Sequence, residues 1–346
     1  MLLVFILVLF SFSALAQDNQ WRLDILQTPY DYQSPSRLIS YQPLAKASQR
    51  WRICASYPHL KDAYWLSVNY GMVEEARRLG VSLQVVEAGG YPNVERQIEQ
   101  VRDCSQNADI LVLGTVSFDG LTETVLEISK RIPVTAVVND IADAGISAKI
   151  GVSWVSMGQK IGEFLAALHP MGSTPVTVAW FPGPLGSGWV PFVEQGFRNA
   201  LSESSAEVVV TKYGDTGKEI QLLLIEEALE EEPEVDYIVG SAVTAEAAVG
   251  VLRARSLTGE IRVLAVYFTH AVYRGLKRGR ILAAPTDYPV KQGRQSIEQA
   301  VRVLEGSLEV IHAGPAIDLV DTENVDEIGT DGSLAPATFA PEFFVE

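Results

Sequence analysis

The chain has 346 residues, 47% of them hydrophobic, and a formal charge of −16. That length supports two domains with substantial cores. The acidity argues against nucleic-acid binding, which needs a basic surface to face phosphate, and against attraction to anionic lipid.

Residues 1–16, MLLVFILVLFSFSALA, read as a secretory signal. Leu2 to Phe12 is apolar, and Ala14-Leu15-Ala16 meets the small-residue cleavage rule, which makes Gln17 the mature start. No Lys or Arg precedes the apolar run, so an uncleaved anchor is the alternative. The segment's 15 apolar or small residues fall short of the ~20 that span a bilayer. No later stretch approaches that length, so the mature chain is expected not to insert into a membrane. Positions 17–50 are mixed and polar, with Pro29, Pro35 and Pro43, and read as an extended arm.

From Trp51 onward, strands and helices alternate. Ile53 to Ala55 is a short buried strand, and the helix after it has Leu66, Tyr70, Val73 and Ala76 on one face. Strands are expected at 82–88, 109–114 and 133–138, with helices over 94–106 and 121–130. Lys149 to Val152 is a short strand that ends at Ser153-Trp154. The next helix carries Met157, Ile161, Phe164, Leu165 and Leu168 on one side. A second series follows, with strands at 176–181, 207–212, 236–240 and 262–267 and helices over 190–202, 216–230 and 244–253. A short helix near 270–277, a strand at 281–284, a helix over 289–304 and a Pro-, Gly- and Asp-rich tail complete the chain.

Such alternation argues for parallel sheets with right-handed crossovers. Two series with a strand and a helix left over give an α/β fold. It has two doubly wound parallel-sheet lobes joined by a three-segment hinge, the pattern of type I periplasmic binding proteins. The implied boundaries are a signal at 1–16 and an arm at 17–50. A first lobe takes 51–153 plus 285–306, a second takes 154–284 plus 307–325, and a tail takes 326–346.

Enzyme signatures are missing. The Gly183–Gly188 loop lacks both Gly-x-Gly-x-x-Gly and Gly-Lys-[Ser/Thr], so it reads as a turn with room for backbone approach. The four histidines are scattered, and Gly186-Ser187-Gly188 is too short for a nucleophile elbow. No catalytic residue, metal site or cofactor is expected.

In open α/β sheets, ligands bind beyond the carboxyl ends of strands. Those loops offer Tyr57, Asp62, Tyr64, Trp65, Trp154, Tyr267, Phe268 and Asp287. An aromatic face attracts a methylated or cationic nitrogen by roughly 0.5–2 kcal/mol per ring, and a carboxylate complements the positive methyl shell. Each residue also has a structural alternative. Tyr64, Trp65, Trp154 and Tyr267 can be packing residues, and Asp62 can cap the first helix. Asp287 reads better as the cap of the helix at Pro289. Cys54 and Cys104 either bridge, as an even pair in an exported chain can, or remain two buried thiols.

Several stretches carry a more specific signal. SYPHLKDAYWLSVNYGM, VEAGGYPN, GVSWVSMG, VGSAVTAEAA and HAVYRGLKRGR…APTD together resemble the TorT family, over nearly all of the mature chain. These are periplasmic sensors of trimethylamine N-oxide (TMAO). The resemblance implies a periplasmic location and TMAO or a related methylated amine as ligand. It implies signalling through the periplasmic domain of a TorS-like sensor histidine kinase, two copies of each. The two-component system so formed would control TMAO respiration. It further implies a ligand pocket of Asp62, Tyr64, Trp65, Trp154 and Tyr267, and a Cys54–Cys104 disulfide. The loop GPLGSGWVPF departs from the family pattern. A receptor that hands a sugar or other small solute to an ABC importer is the alternative, and the partner protein discriminates the two.

Overall fold

The computed structural model describes residues 20–328 and 330–346, and the expected signal at 1–16 lies outside them. β1 (Trp21–Leu26) and β2 (Ser36–Tyr41) form an antiparallel hairpin with Trp21 opposite Tyr41. Much of the expected arm at 17–50 is therefore sheet. Leu23 and Tyr41 turn into the core, and the free edge of β1 pairs with a strand from near the other end of the chain.

The first lobe continues through β3 (Arg52–Tyr57), α1 (Ala63–Leu79), β4 (Ser82–Glu87) and α2 (Val94–Cys104). Then come β5 (Ile110–Leu113), α3 (Thr122–Ile128), β6 (Val134–Val137) and β7 (Ala148–Ile150). β5 and β6 are buried at every residue, as central parallel strands covered on both faces must be.

The second lobe begins with α4 (Trp154–Leu168), β8 (Val176–Gly183), α5 (Val190–Leu201) and β9 (Ala206–Tyr213). It goes on through α6 (Lys218–Glu231), β10 (Tyr237–Gly240), α7 (Ala242–Ala254), β11 (Arg262–Ala265) and α8 (His270–Lys277). Its sheet is parallel throughout, in the order β11-β10-β8-β9.

After β12 (Ala283–Thr286) the chain returns to the first lobe, where α9 (Pro289–Leu304) packs on α1. β13 (His312–Gly314) lies parallel to β7 and antiparallel to β1. β14 (Asp318–Asp321) pairs with β12, and β15 (Phe344–Val345) pairs with β4, both antiparallel. The first sheet thus has nine strands, ordered β15-β4-β3-β5-β6-β7-β13-β1-β2. Positions 307–325, expected with the second lobe, are divided: β13 joins the first sheet and only β14 pairs with β12. Antiparallel strands from the two ends of the chain cover both edges of the parallel core, which leaves fewer exposed ladder groups for unwanted pairing.

The chain crosses between lobes after β7, after β12 and after β13. The tail crosses again. His270 Nε2 of α8 lies 2.7 Å from the Ala335 carbonyl oxygen, and the Ala335 amide donates to Ser67 Oγ of α1 at 3.2 Å.

Cys54 of β3 and Cys104 of α2 form a disulfide with Cα atoms 6.0 Å apart and a sequence separation of 50. On the chain-entropy model, closing a loop of that length stabilises by roughly 4 kcal/mol. The paired substitution Cys54→Ser/Cys104→Ser is expected to lower Tm by several degrees while keeping the far-UV circular dichroism. A Tm that is the same in oxidised, reduced and substituted protein would remove this role.

Candidate ligand site

The start of α1 sets the site. Asp62 precedes the helix with extended backbone (φ −87°, ψ 129°), and its Oδ1 accepts from the Tyr64 amide at 2.9 Å. Such a cap satisfies an otherwise free amide of the first turn. It also places Tyr64 and Trp65 at the edge of the first lobe. The other oxygen, Oδ2, accepts from the Tyr267 hydroxyl of the second lobe at 2.5 Å. Asp62 therefore caps a helix and spans the cleft at once; the two readings of the sequence are not exclusive.

All five residues singled out from the sequence, Asp62, Tyr64, Trp65, Trp154 and Tyr267, meet around one void. Tyr91, Asn139, Trp189 and Thr216 complete its lining. The void is small, about 10 Å³, room for roughly one water molecule. None of the nine residues is more than 7% exposed, so the lobes are closed over it. The rings meet edge to face, across the cleft for Tyr64 and Tyr267 and within the second lobe for Trp189 and Tyr267. Tyr64 and Tyr267 have centroids 5.4 Å apart at 77°, and Trp189 and Tyr267 are 6.0 Å apart at 88°. Trp154 tilts against Trp189 at 5.3 Å. Tyr57 lies behind Trp65, stacked at 5.3 Å. A Cβ on Gly114 would lie 2.6 Å from the Trp65 ring, so the indole needs glycine at that strand end.

Tyr91, Asn139, Trp189 and Thr216 were not legible as site residues. Each nevertheless follows the carboxyl end of a strand: β4, β6, β8 and β9 respectively. The placement rule that nominated Asp62 covers them too. Among the other cleft candidates, Phe268 turns towards Tyr273, 6.3 Å away. Asp287 does not cap α9. Tyr288 holds that position with a left-handed φ of 54°. Asp287 instead stands behind Tyr64, where its Oδ2 accepts from the Tyr64 hydroxyl at 2.6 Å and from Gln292 Nε2 at 2.7 Å.

No Lys or Arg lines the void among the described residues. Burial pushes the Asp62 carboxyl up to about 6, against the pull of the Tyr267 hydroxyl. Asp287 is likewise raised to about 6 by burial. His59 donates to or accepts from Thr216 Oγ1 at 3.0 Å, and burial holds it down to about 4, so it stays neutral near pH 7. The chamber is acidic and walled by π faces, with no internal cation. It suits a ligand whose outer shell is positive and poorly hydrated. It also holds spare donors. The Tyr91 oxygen accepts from Asn139 Nδ2 at 3.2 Å, which leaves the hydroxyl proton free. Trp189 Nε1 is buried near the Tyr91 oxygen but makes no well-aligned hydrogen bond among the described residues.

Residues 138–140 link this wall to lobe closure. Val138 has a positive φ of 66°, unusual for a β-branched residue. Its carbonyl accepts from the Trp154 indole at 3.1 Å. The Asp140 amide donates across the cleft to the Gly188 carbonyl at 2.8 Å, and its carboxylate pairs with the fully buried Lys149. A Cβ on Gly188 would lie 1.8 Å from the Asp140 oxygen. The Gly183–Gly188 loop thus serves close backbone approach.

A periplasmic binding protein domain model matches residues 53–308. The chain is 38% identical to the periplasmic protein TorT of Escherichia coli (strain K12) over 348 residues, covering 100% of this chain and 97% of that protein. The chain belongs to the TorT family of periplasmic binding proteins. A solved complex of the TorS sensor domain with TorT in the presence of TMAO superposes with a TM-score of 0.77 at 40% identity, covering 85% of this chain and 99% of that one. An ABC transporter solute binding protein from Bradyrhizobium sp. BTAi1, solved with bound bis-tris, gives 0.79 at 46% identity, covering 93% and 98%.

In this TorT-family chain, Gly188→Ala is expected to keep the far-UV circular dichroism but block closure. Trp154 and Trp189 would then be solvated, and acrylamide quenching of tryptophan emission would rise. Unchanged quenching would show that Gly188 does not limit closure.

Proposed function

We propose that this chain is a periplasmic sensor subunit that binds TMAO between its lobes and regulates a TorS-like sensor histidine kinase. Two copies of each form the complex, in two-component control of TMAO respiration. One observation carries this reading: six aromatic rings and one buried carboxylate, drawn from both lobes, enclose a void without a cation. The match to TorT over the full chain supports it.

Trp65, Trp154, Trp189, Tyr64 and Tyr267 surround the methyl groups. Asp62 supplies negative potential beside the positive nitrogen. Tyr91 O–H and Trp189 Nε1–H donate to the N-oxide oxygen, since the hydroxyls of Tyr64 and Tyr267 are already committed to Asp287 and Asp62. The lobes hinge at 151–153, 286–288 and 315–317. Ligand shifts the open–closed balance only through its greater affinity for the closed form, where both halves of the cage touch it. The reading assigns no catalytic step, cofactor or metal to the chain.

A second reading has support of its own. The Bradyrhizobium relative is described as an ABC transporter solute binding protein and holds bis-tris, a hydroxylated tertiary amine. The same cage would then serve import of an amine or other small solute. Affinity capture from membranes separates the two: recovery of a histidine kinase supports sensing, and recovery of permease components supports import.

Calorimetry on the mature protein tests the ligand. TMAO is expected to bind, and Trp65→Ala to weaken it about tenfold or more, the equivalent of ~1.4 kcal/mol. No heat with TMAO, or equal affinity in the variant, would overturn the assignment.

The acid adds a pH signature. Its carboxyl titrates near about 6 in the ligand-free chain. A ligand with a positive shell favours the ionised form, so it lowers that pKa and expels a proton. Affinity is therefore expected to be full above about 6 and to fall as pH drops through it. Calorimetry in two buffers of different ionisation enthalpy counts the released proton. Asp62→Asn is expected to bind weakly and without this slope; a flat profile in the unmodified protein would remove the charge role.

A further inference from the structure

The second lobe carries a patch charged against the trend of the chain. Lys and Arg total 27 against 43 Asp and Glu, yet the groove between α7 and α8 is lined by five arginines. These are Arg253 of α7, Arg262 of β11, Arg274 and Arg278 of α8, and Arg280 just beyond it, all exposed. Arg262 donates to the Tyr237 hydroxyl at 2.7 Å. The other four make no ion pair among the described residues. Neighbouring Arg255 and Lys277 do, with Glu226 and Asp326. Glu246 is the one acid in the lining, and it pairs with Lys218.

The groove is mechanically close to the cage. α8 starts three residues after Tyr267, whose hydroxyl meets Asp62 across the cleft. Any motion of the second lobe relative to the first therefore carries the arginines with it.

We propose that this arginine groove is the docking surface for an acidic face of the kinase's periplasmic domain. The inference rests on the sensor reading above and adds where the partner sits. Charge complementarity argues for it. A protein of charge −16 repels an acidic partner at long range, and a concentrated basic patch is what steers and orients such an encounter. Guanidinium groups are weakly hydrated and fork onto carboxylates in pairs, so arginine rather than lysine fits a protein contact that excludes water. The same net charge disfavours an anionic membrane as the occupant, because the rest of the surface would be driven from it.

The test uses the mature protein and the purified periplasmic domain of its kinase, with binding measured at low and high salt. The triple variant Arg274→Glu/Arg278→Glu/Arg280→Glu is expected to lose kinase-domain affinity about tenfold or more and to lose most of the salt dependence. TMAO affinity and Tm should stay as in the parent, which separates lost docking from lost folding. Replacing the same three residues by Gln should give an intermediate loss. Unchanged kinase-domain binding in the Glu variant would overturn the proposal. So would intact kinase binding combined with loss of parent-level binding to anionic phospholipid vesicles, which would assign the groove to lipid. If the unmodified protein fails to bind the kinase domain at all, the sensor reading itself falls, and the docking site with it.

Discussion

One buried carboxylate holds the two lobes in register. Asp62 gives one oxygen to the first turn of α1 and the other to a phenol on the opposite lobe. An ionised or partly ionised acid at such depth is costly unless it is hydrogen-bonded. Closure supplies one of the two bonds, so the acid and the closed shape depend on each other. Asp287 repeats the device behind Tyr64. Both phenols are held protonated, with their pKa raised well above the usual value by burial and then by the facing acid. Their hydroxyls being occupied, Tyr64 and Tyr267 offer the void ring faces and edges rather than polar groups. The Tyr91 hydroxyl proton and the Trp189 indole N–H are not engaged in this way.

Much of this was legible in the chain. The continuous apolar runs of β5 and β6 and the one-sided faces of α1 and α4 follow from burial on both faces of a parallel sheet. The α/β alternation, the two-lobed plan and the family follow from the same pattern and from local motifs. Asp62, Tyr64 and Trp65 stood out because a loop rarely carries two adjacent aromatics and an acid. What escaped was long-range. β1 pairs along its length with β2 and on its other edge with β13, and the second of these partners lies near the other end of the chain. Tyr91 and Trp189 sit beside Gly- and Pro-rich turns, and those turns dominate any local reading. Asp287 precedes Pro289 and so looks like a helix cap, yet Tyr64 and Gln292 claim its carboxylate.

Charge is sorted by place rather than spread evenly. The cage encloses acid without base. Five arginines, with Glu246 as the single acid of the lining, collect in a groove of the second lobe. The buried Lys149 near the hinge is paired with Asp140, and burial pulls its pKa down to about 7. Asp140 in turn grips the Gly188 carbonyl. The enclosed void, the crossing segments and the arginine groove therefore sit on connected elements of the fold.

Val138 adds a last consequence. A β-branched residue in left-handed backbone stores on the order of 1–3 kcal/mol. Here the Trp154 indole and the Ile150 carbonyl hold it there. Were the indole to withdraw as the lobes part, one of those two holds would be lost, and the shut molecule would carry strain that the open one could release. The balance between open and closed forms would then depend partly on a residue outside the lining of the void. Exchange for glycine or asparagine at that one position would then shift that balance while leaving every wall of the void as it is.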